Sequence, residues 1–348
     1  MLLEFIHLTC YYIGIISLQN IFCSESVHMK TFIKISGSIV MMILVVSLII
    51  GCGQTIKLTP EELAAINNTE ELHAGSLAAF EIPIPTAPGT LTEGNDTVVI
   101  DYSNTHEGYV IAKYTGTSEQ SLKIAVTSPQ EDQYFYTFRN CGSLEVIPLA
   151  EGPGTYKICV YQNIGGVNYE RILSFDVDVD FDDDHAPFLR PSQFVNYGRD
   201  SHLVALAYHL TKDAGNTDEK ISAIYEFVVN NFVYDYNLAA TVPSGYLPNL
   251  DEVLNNKKGI CFDYAALVTA MLRSQGIPTM LEIGYHGDEY HAWISVLCHD
   301  VGWIENRYHH NGEDWSMLDP TVESGARRAN VTRQEARDDD EYSVMFNY

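Results

Sequence analysis

One predicted helix of this chain begins at a cysteine, Cys261, and this feature limits where the chain can hold a reactive thiol. Gly259-Ile260-Cys261 is typical of a turn, and Gly276-Ile277-Pro278 ends the helix that follows. Apolar side chains recur between these points at helical spacing, at Ala265, Leu267, Val268, Met271 and Leu272. Cys261 is therefore predicted to lie at a helix N-terminus, where unpaired backbone N–H groups and the positive end of the helix dipole favour a thiolate.

Two residues further along the chain supply the groups that a nucleophilic thiol needs. A thiolate requires an adjacent base, and the base requires a third group that fixes its tautomer and orientation. His291 opens the predicted strand HAWISVL, and Asp319 closes the predicted strand tract WSMLDP. A helix N-terminus packed against these strands would bring the three side chains together, so we predict one catalytic unit of Cys261, His291 and Asp319.

Three tracts of this region resemble the transglutaminase-like superfamily, in its bacterial branch related to papain-type cysteine enzymes: GICFDYAALVTAMLRSQGIP, YHAWISV and WSMLDPT. The resemblance covers roughly residues 200 to 325, and the motifs come in the family's order. It implies Cys261 as nucleophile, His291 as general base and Asp319 as orienting carboxylate. It also implies an α+β, papain-like cysteine proteinase fold for residues 185–325, with no cofactor.

The net charge argues against a nucleic-acid or anionic-membrane partner, and the histidine spacing argues against a metal site. The chain has 348 residues and a formal net charge of −26, which argues against nucleic acid or an anionic membrane surface as the main partner. His286, His309 and His310 lack the i, i+4 spacing of zinc enzymes, so we predict no metal site. The expected partner is a peptide or protein substrate, and the oligomeric state stays open.

Residues 1–51 have the features of a leader that is removed before the protein folds. Met29-Lys30 and Lys34 begin a short positive segment, the run from 39 to 50 is apolar, and Gly51-Cys52 follows. This pattern looks like the lipobox of a bacterial lipoprotein, anchored outside the membrane through Cys52. The alternative is one uncleaved transmembrane helix, for which the apolar run is short. We expect translation to start at Met29, with residues 1–28 an upstream misassignment.

Residues 52–75 are predicted to be a tether with one short helix, TPEELAAINN, and residues 76–184 to be an all-β sandwich of immunoglobulin-like size. Seven β-branched and aromatic runs support the sandwich: VVIDYS, GYVIAKY, SLKIAVTS, QYFYTF, SLEVIPLA, GTYKICVYQ and YERILSFDVDV. The acidic run from Asp176 to Asp184 is interpreted as a strand end and charged linker, with a calcium site as the lesser alternative. Cys141 and Cys159 could form a disulfide or remain free thiols.

The catalytic half contains further helices and several aromatic candidates for the cleft. HLVALAYHLTKDA and DEKISAIYEFVVNNFVYD have helical periodicity, and a short helix is expected from Asp251. We predict that Tyr234, Tyr236 or Tyr246 lines the cleft, that Asp263 holds the first helical turn, and that Trp293 faces away from His291. Residues 326–348 are expected to be a C-terminal tail, in which the stretch GARRANVTRQEARDDDEY is predicted to be a terminal helix or partly disordered.

The function expected from these residues is acyl transfer by a cysteine enzyme on peptide or glutamine carboxamide substrates. Hydrolysis, by a peptidase or amidase, is the outcome we favour. Two alternatives stay open: cross-linking by a protein-glutamine gamma-glutamyltransferase, and a non-enzymatic surface binding or adhesin module.

Overall fold

The computed structural model describes residues 82–116, 121–138, 143–298, 307–310, 313–330 and 342–348. All of them belong to one compact unit, Lys57–Tyr348. The leader with Cys52, the tether helix and Cys141 lie outside the described residues, so the predictions made for them stay predictions. The same holds for the domain boundaries.

Two antiparallel four-stranded sheets make up the upstream part of the described chain. Their strand orders are β1-β2-β3-β6 and β5-β4-β7-β8. The strands are β1 (Thr92–Gly94), β2 (Val98–Asp101), β3 (Tyr109–Tyr114), β4 (Leu122–Thr127), β5 (Gln133–Phe138), β6 (Leu144–Pro148), β7 (Gly154–Gly165) and β8 (Asn168–Val179). Each of the seven predicted runs contains a strand, so the sheet-rich upstream region is confirmed. β1 was missed because its three residues are all exposed and give no apolar signal.

The acidic run behaves as the alternation of its side chains predicts. Val177 and Val179 are buried at the end of β8, whereas Asp176 and Asp178 are exposed. The carboxylates therefore lie on the solvated face of a strand.

In the same sheet, Cys159 is a buried free thiol whose Sγ lies 3.4 Å from Ser174 Oγ.

The second half combines helices with an antiparallel sheet, which confirms the α+β prediction. Its elements are α1 (His202–Thr211), α2 (Thr217–Asn231), β9 (Val233–Tyr234), α3 (Tyr236–Thr241), α4 (Leu250–Asn256), β10 (Lys258–Gly259), α5 (Cys261–Ser274), β11 (Thr279–His286), β12 (Glu289–Leu297), β13 (Arg307–His310), β14 (Glu313–Leu318), α6 (Pro320–Ala329) and β15 (Tyr342–Asn347). None of the helices in the described ranges is long and apolar enough to cross a membrane.

Helix α5 is the centre of this half. Every residue from Asp263 to Ser274 is buried, and the helix packs against β11, β12, α1 and α2. Because only its first turn reaches the surface, α5 places the Cys261 thiol at the edge of a rigid core.

The chain ends in a strand that the sequence analysis did not predict, at residues 342–347. They form β15, the edge strand of a five-stranded sheet with the order β13-β14-β12-β11-β15. The sequence YSVMFN is rich in aromatic and β-branched residues, and pairing with β11 satisfies its backbone. The close approach requires Gly284, because a Cβ there would lie 2.0 Å from Ser343 O.

A buried arginine joins α5 to three other parts of the chain. Arg273 is 0% exposed, and its guanidinium donates to the carbonyl oxygens of Thr279 (2.8 Å), Arg190 (2.8 Å) and Tyr348 (2.6 Å). These carbonyls belong to the start of β11, the linker after the upstream sheets and the residue that follows β15. Arg273 therefore ties the end of the central helix to the sheet on which His291 lies.

Candidate active site

Cys261 is the first residue of α5. The preceding residue, Ile260, has extended backbone (φ −93°, ψ 177°) and is the N-cap, so the chain turns sharply into the helix. The Cys261 side chain is partly exposed and its thiol is free. The predicted nucleophile therefore lies at the solvent-accessible N-terminus of a helix that is otherwise buried.

Asp263 fixes the first turn of α5, as the sequence predicts. Its Oδ2 accepts from Ile260 N at 2.8 Å, and its Oδ1 accepts from the Tyr246 hydroxyl at 2.8 Å. Burial raises the pKa of this carboxyl, and the two donors oppose that rise. Gly259 leaves the space for this contact, since a Cβ there would lie 2.5 Å from Asp263 Cβ.

Asp319 orients His291 through a short hydrogen bond. The distance from His291 Nε2 to Asp319 Oδ2 is 2.7 Å, and the two side chains are 11% and 1% exposed. Asp319 is also the N-cap of α6, and its Oδ1 accepts from the backbone N–H groups of Thr321 and Val322, both at 2.9 Å. Burial alone would raise the pKa of Asp319, but His291 and these donors hold it below its usual value.

His291 also contacts Cys261, which completes the predicted trio. Burial lowers the pKa of the imidazole, yet the Asp319 carboxylate and, after it, the hydrogen bond and charge of Cys261 raise it to about 11. Since Nε2 is taken by Asp319, Nδ1 is the ring nitrogen left for the thiol. At neutral pH the arrangement therefore favours an imidazolium next to the Cys261 sulfur.

Trp293 lies on the same side of β12 as His291, contrary to the prediction. Side chains two apart in a strand point to the same face, and the two rings stack with centroids 6.1 Å apart at 23°. The Trp293 side chain is fully buried. It also packs edge-on against the ring of Tyr342, with centroids 5.0 Å apart. The rings of Trp293 and Tyr342 therefore both lie beside the His291 imidazole.

Of the three tyrosines predicted for the cleft, Tyr246 bonds Asp263 beneath Cys261. Tyr234 and Tyr236 form an edge-to-face pair with centroids 4.9 Å apart. The sequence prediction missed Tyr290, which directly precedes His291 in β12. Tyr285 and Tyr290 face each other across the β11–β12 hairpin at 5.7 Å and are 41% and 61% exposed.

Within the described ranges, no group of three or more His, Cys, Asp or Glu side chains is arranged to hold a metal ion. The side chains of His309 and His310 lie outside that description. The ring of His286 stacks on Tyr342 with centroids 4.2 Å apart at 14°.

One family model and two sequence relatives are similar to this chain. The model of the transglutaminase-like superfamily matches residues 204–306. The uncharacterized protein YebA of Bacillus subtilis is 28% identical over 119 residues, which cover 28% of this chain and 16% of YebA. The UPF0252 protein MJ1282 of Methanocaldococcus jannaschii is 26% identical over 250 residues, which cover 64% of this chain and 66% of that protein. The chain thus spans less than two thirds of the length of either relative.

Among solved structures, the chain is similar to a candidate cysteine protease from Cytophaga hutchinsonii. The TM-score is 0.32 at 16% sequence identity, and the superposition covers 61% of this chain and 78% of that one.

Proposed function

Because residues 204–306 match the model of the transglutaminase-like superfamily, we propose that the protein is a cysteine peptidase or amidase. It would act on peptide bonds or glutamine carboxamides through a covalent thioester on Cys261. The observation that carries the proposal is the 2.7 Å hydrogen bond between His291 and Asp319, together with a partly exposed Cys261 thiol that interacts with the His291 imidazole.

The first half of the reaction forms the thioester. The Cys261 thiolate attacks the carbonyl carbon, and the carbonyl electron pair moves onto oxygen. The His291 imidazolium then gives its proton to the leaving nitrogen as the carbon–nitrogen bond breaks. A peptide substrate releases an amine, whereas a carboxamide releases ammonia.

Backbone donors at the start of α5 are well placed to stabilise the oxyanion. The first intrahelical bond runs from Tyr264 N to Ile260 O at 3.1 Å, so the N–H groups of residues 261–263 have no acceptor within the helix. These groups and the helix dipole favour negative charge at this end.

In the second half, neutral His291 accepts a proton from the group that attacks the thioester. Water yields a carboxylic acid and the free thiol, whereas a primary amine yields an isopeptide. Cys261 is partly exposed, and Tyr285 and Tyr290 on the β11–β12 hairpin are exposed to solvent. Efficient transfer to an amine requires that water be excluded from the thioester, so this exposure favours hydrolysis.

We further propose that the reaction takes place outside the membrane, with the protein anchored through a lipid on Cys52. The support is the charge and hydropathy pattern that precedes Cys52. Mass spectrometry of the membrane fraction should find a mature N-terminus at a lipidated Cys52, and an intact Met1 or Met29 N-terminus would contradict this.

Product partition tests the proposed hydrolysis. The full-length chain is incubated with a defined library of glutamine-containing peptides, with and without a large excess of a fluorescent alkylamine. We expect cleaved or deamidated peptides to dominate in both reactions, because water reaches the thioester. Predominant alkylamine incorporation would instead identify a cross-linking enzyme. If the peptides bind without covalent change, the protein is a binding module.

A further inference from the structure

Strand β15 brings a hydroxyl group onto the carboxylate that orients His291. The Tyr342 hydroxyl donates to Asp319 Oδ2 at 2.8 Å. The same oxygen accepts from His291 Nε2 at 2.7 Å. Since Asp319 Oδ1 is occupied by two backbone N–H groups, Tyr342 completes a set of four donors around a buried carboxylate.

This hydroxyl affects both the direction and the strength of the Asp319–His291 bond. Four donors leave the carboxylate little freedom to rotate, so Oδ2 stays aimed at Nε2. Tyr342 also takes up part of the negative charge on Oδ2, which moderates the attraction for the imidazolium. A base that must release its proton to the leaving nitrogen requires such moderation.

The ring of Tyr342 is itself held in a defined place. It stacks on His286 at 4.2 Å and meets Trp293 edge-on at 5.0 Å. The far end of the strand is anchored to the upstream sheets, since the ring of Phe346 lies 5.4 Å from that of Tyr134 and the ring of Tyr348 lies 5.9 Å from that of Tyr136. The hydroxyl is therefore preorganised by packing at both ends of β15.

We propose that Tyr342 is a positioning residue of the active site, which acts on the reaction through Asp319 and His291. Strand β15, 23 residues beyond Asp319 in the chain, is then required for catalysis and does more than complete the sheet. The inference rests on the proposed function, because it assigns a role within the same reaction.

The decisive variant is Tyr342→Phe, which removes the hydroxyl and keeps the ring contacts. The matched control is Met345→Ala, an exposed position on the same strand. We expect Tyr342→Phe to lower kcat about tenfold, the size expected for one lost hydrogen bond to a charged group, with little change in KM. Met345→Ala should stay within about twofold of the wild type. Near-UV circular dichroism checks that both variants are folded.

The pH profile separates positioning from a general loss of structure. The groups that face the imidazolium are Asp319, Cys261, His286 and Tyr342, from four different elements. Without the phenol donor, Oδ2 attracts the imidazolium more strongly, so the alkaline limb of kcat/KM should move to higher pH. A merely structural role would lower the rate without moving this limb.

A readout that needs no substrate is the downfield proton resonance of the His291 ring N–H that bonds Asp319. It should shift in Tyr342→Phe and stay in place in Met345→Ala. An unchanged resonance with unchanged kcat and pH profile would overturn the role of Tyr342. If the wild type turns over no peptide and yet the resonance shifts in Tyr342→Phe, the positioning contact stands and the proposed function fails.

Discussion

Cys261→Ala should lower the turnover of any substrate by at least about a thousandfold, because members of a catalytic unit act together and nothing else replaces the nucleophile. For the same reason, the double variant Cys261→Ala/His291→Ala should be no slower than Cys261→Ala alone. The rates are measured by mass spectrometry of peptide products from the full-length chain.

Cys298→Ala is the matched control for this prediction. Cys298 is a buried thiol whose Sγ donates to Ser316 Oγ at 3.1 Å, and it follows the strand on which His291 lies. Its loss should change turnover by less than about twofold. Turnover that persists in Cys261→Ala, or that is lost equally in Cys298→Ala, would contradict the assignment of the nucleophile.

Arg273→Met should destabilise the protein more than any surface substitution. The methionine fills the space, but the backbone oxygens of Thr279, Arg190 and Tyr348 lose the guanidinium donor, and that of Tyr348 still accepts from Leu281 N at 2.9 Å. With each buried acceptor costing about 1–3 kcal/mol and the relief of a buried charge offsetting part of this, we expect a loss of roughly 2–4 kcal/mol. The urea midpoint of the full-length chain, followed by near-UV circular dichroism, measures it.

Arg199→Met provides the comparison. Arg199 is exposed, and its guanidinium donates to the carbonyl oxygen of Ile82 at 3.3 Å. Its substitution should change the free energy of unfolding by less than about 0.5 kcal/mol. Equal urea midpoints for the Arg273→Met and Arg199→Met variants would show that the buried guanidinium does not stabilise the fold as we expect.

The predicted trio came together because each member lies in a segment with a strong local signal. Cys261 precedes a helix with clear periodicity, and His291 and Asp319 lie in or directly after short apolar strands. Their mutual distances follow from packing α5 against β12, which the sequence indicates only through the order of the motifs. The carboxylate role of Asp263 was also predictable, because an acidic residue in the first helical turn finds free N–H groups there.

The residues that the sequence did not predict depend on contacts between distant segments. Tyr342 reaches Asp319 only because β15 pairs with β11, and its own segment adjoins a charged stretch that hides the strand signal of YSVMFN. Tyr290 is recognisable as a cleft residue only once the hairpin is seen near Cys261. The face of Trp293, in contrast, was predictable, since the period of two in a strand places it beside His291.

The helix α3 shows how a local signal can be overlooked. Asp235 caps it by accepting from the backbone N–H groups of Asn237 and Leu238 at 3.1 and 3.0 Å, which is an ordinary helix start. The helix has only six residues and none of them is buried. Apolar periodicity, the main guide to the other helices, was therefore absent.

We infer that His291 activates the Cys261 thiol at neutral pH. The alkylation rate of Cys261 by iodoacetamide across pH, with the adduct located by mass spectrometry, tests this inference. Because the pKa of His291 is raised to about 11, the imidazolium persists through neutral pH and is lost only as pH rises toward that value. We predict fast alkylation at about pH 6, where a free cysteine with a pKa near 8.5 is almost wholly protonated, and its loss in His291→Ala. A wild-type alkylation rate that rises only near pH 8.5 and is unaffected by His291→Ala would show that His291 does not activate Cys261.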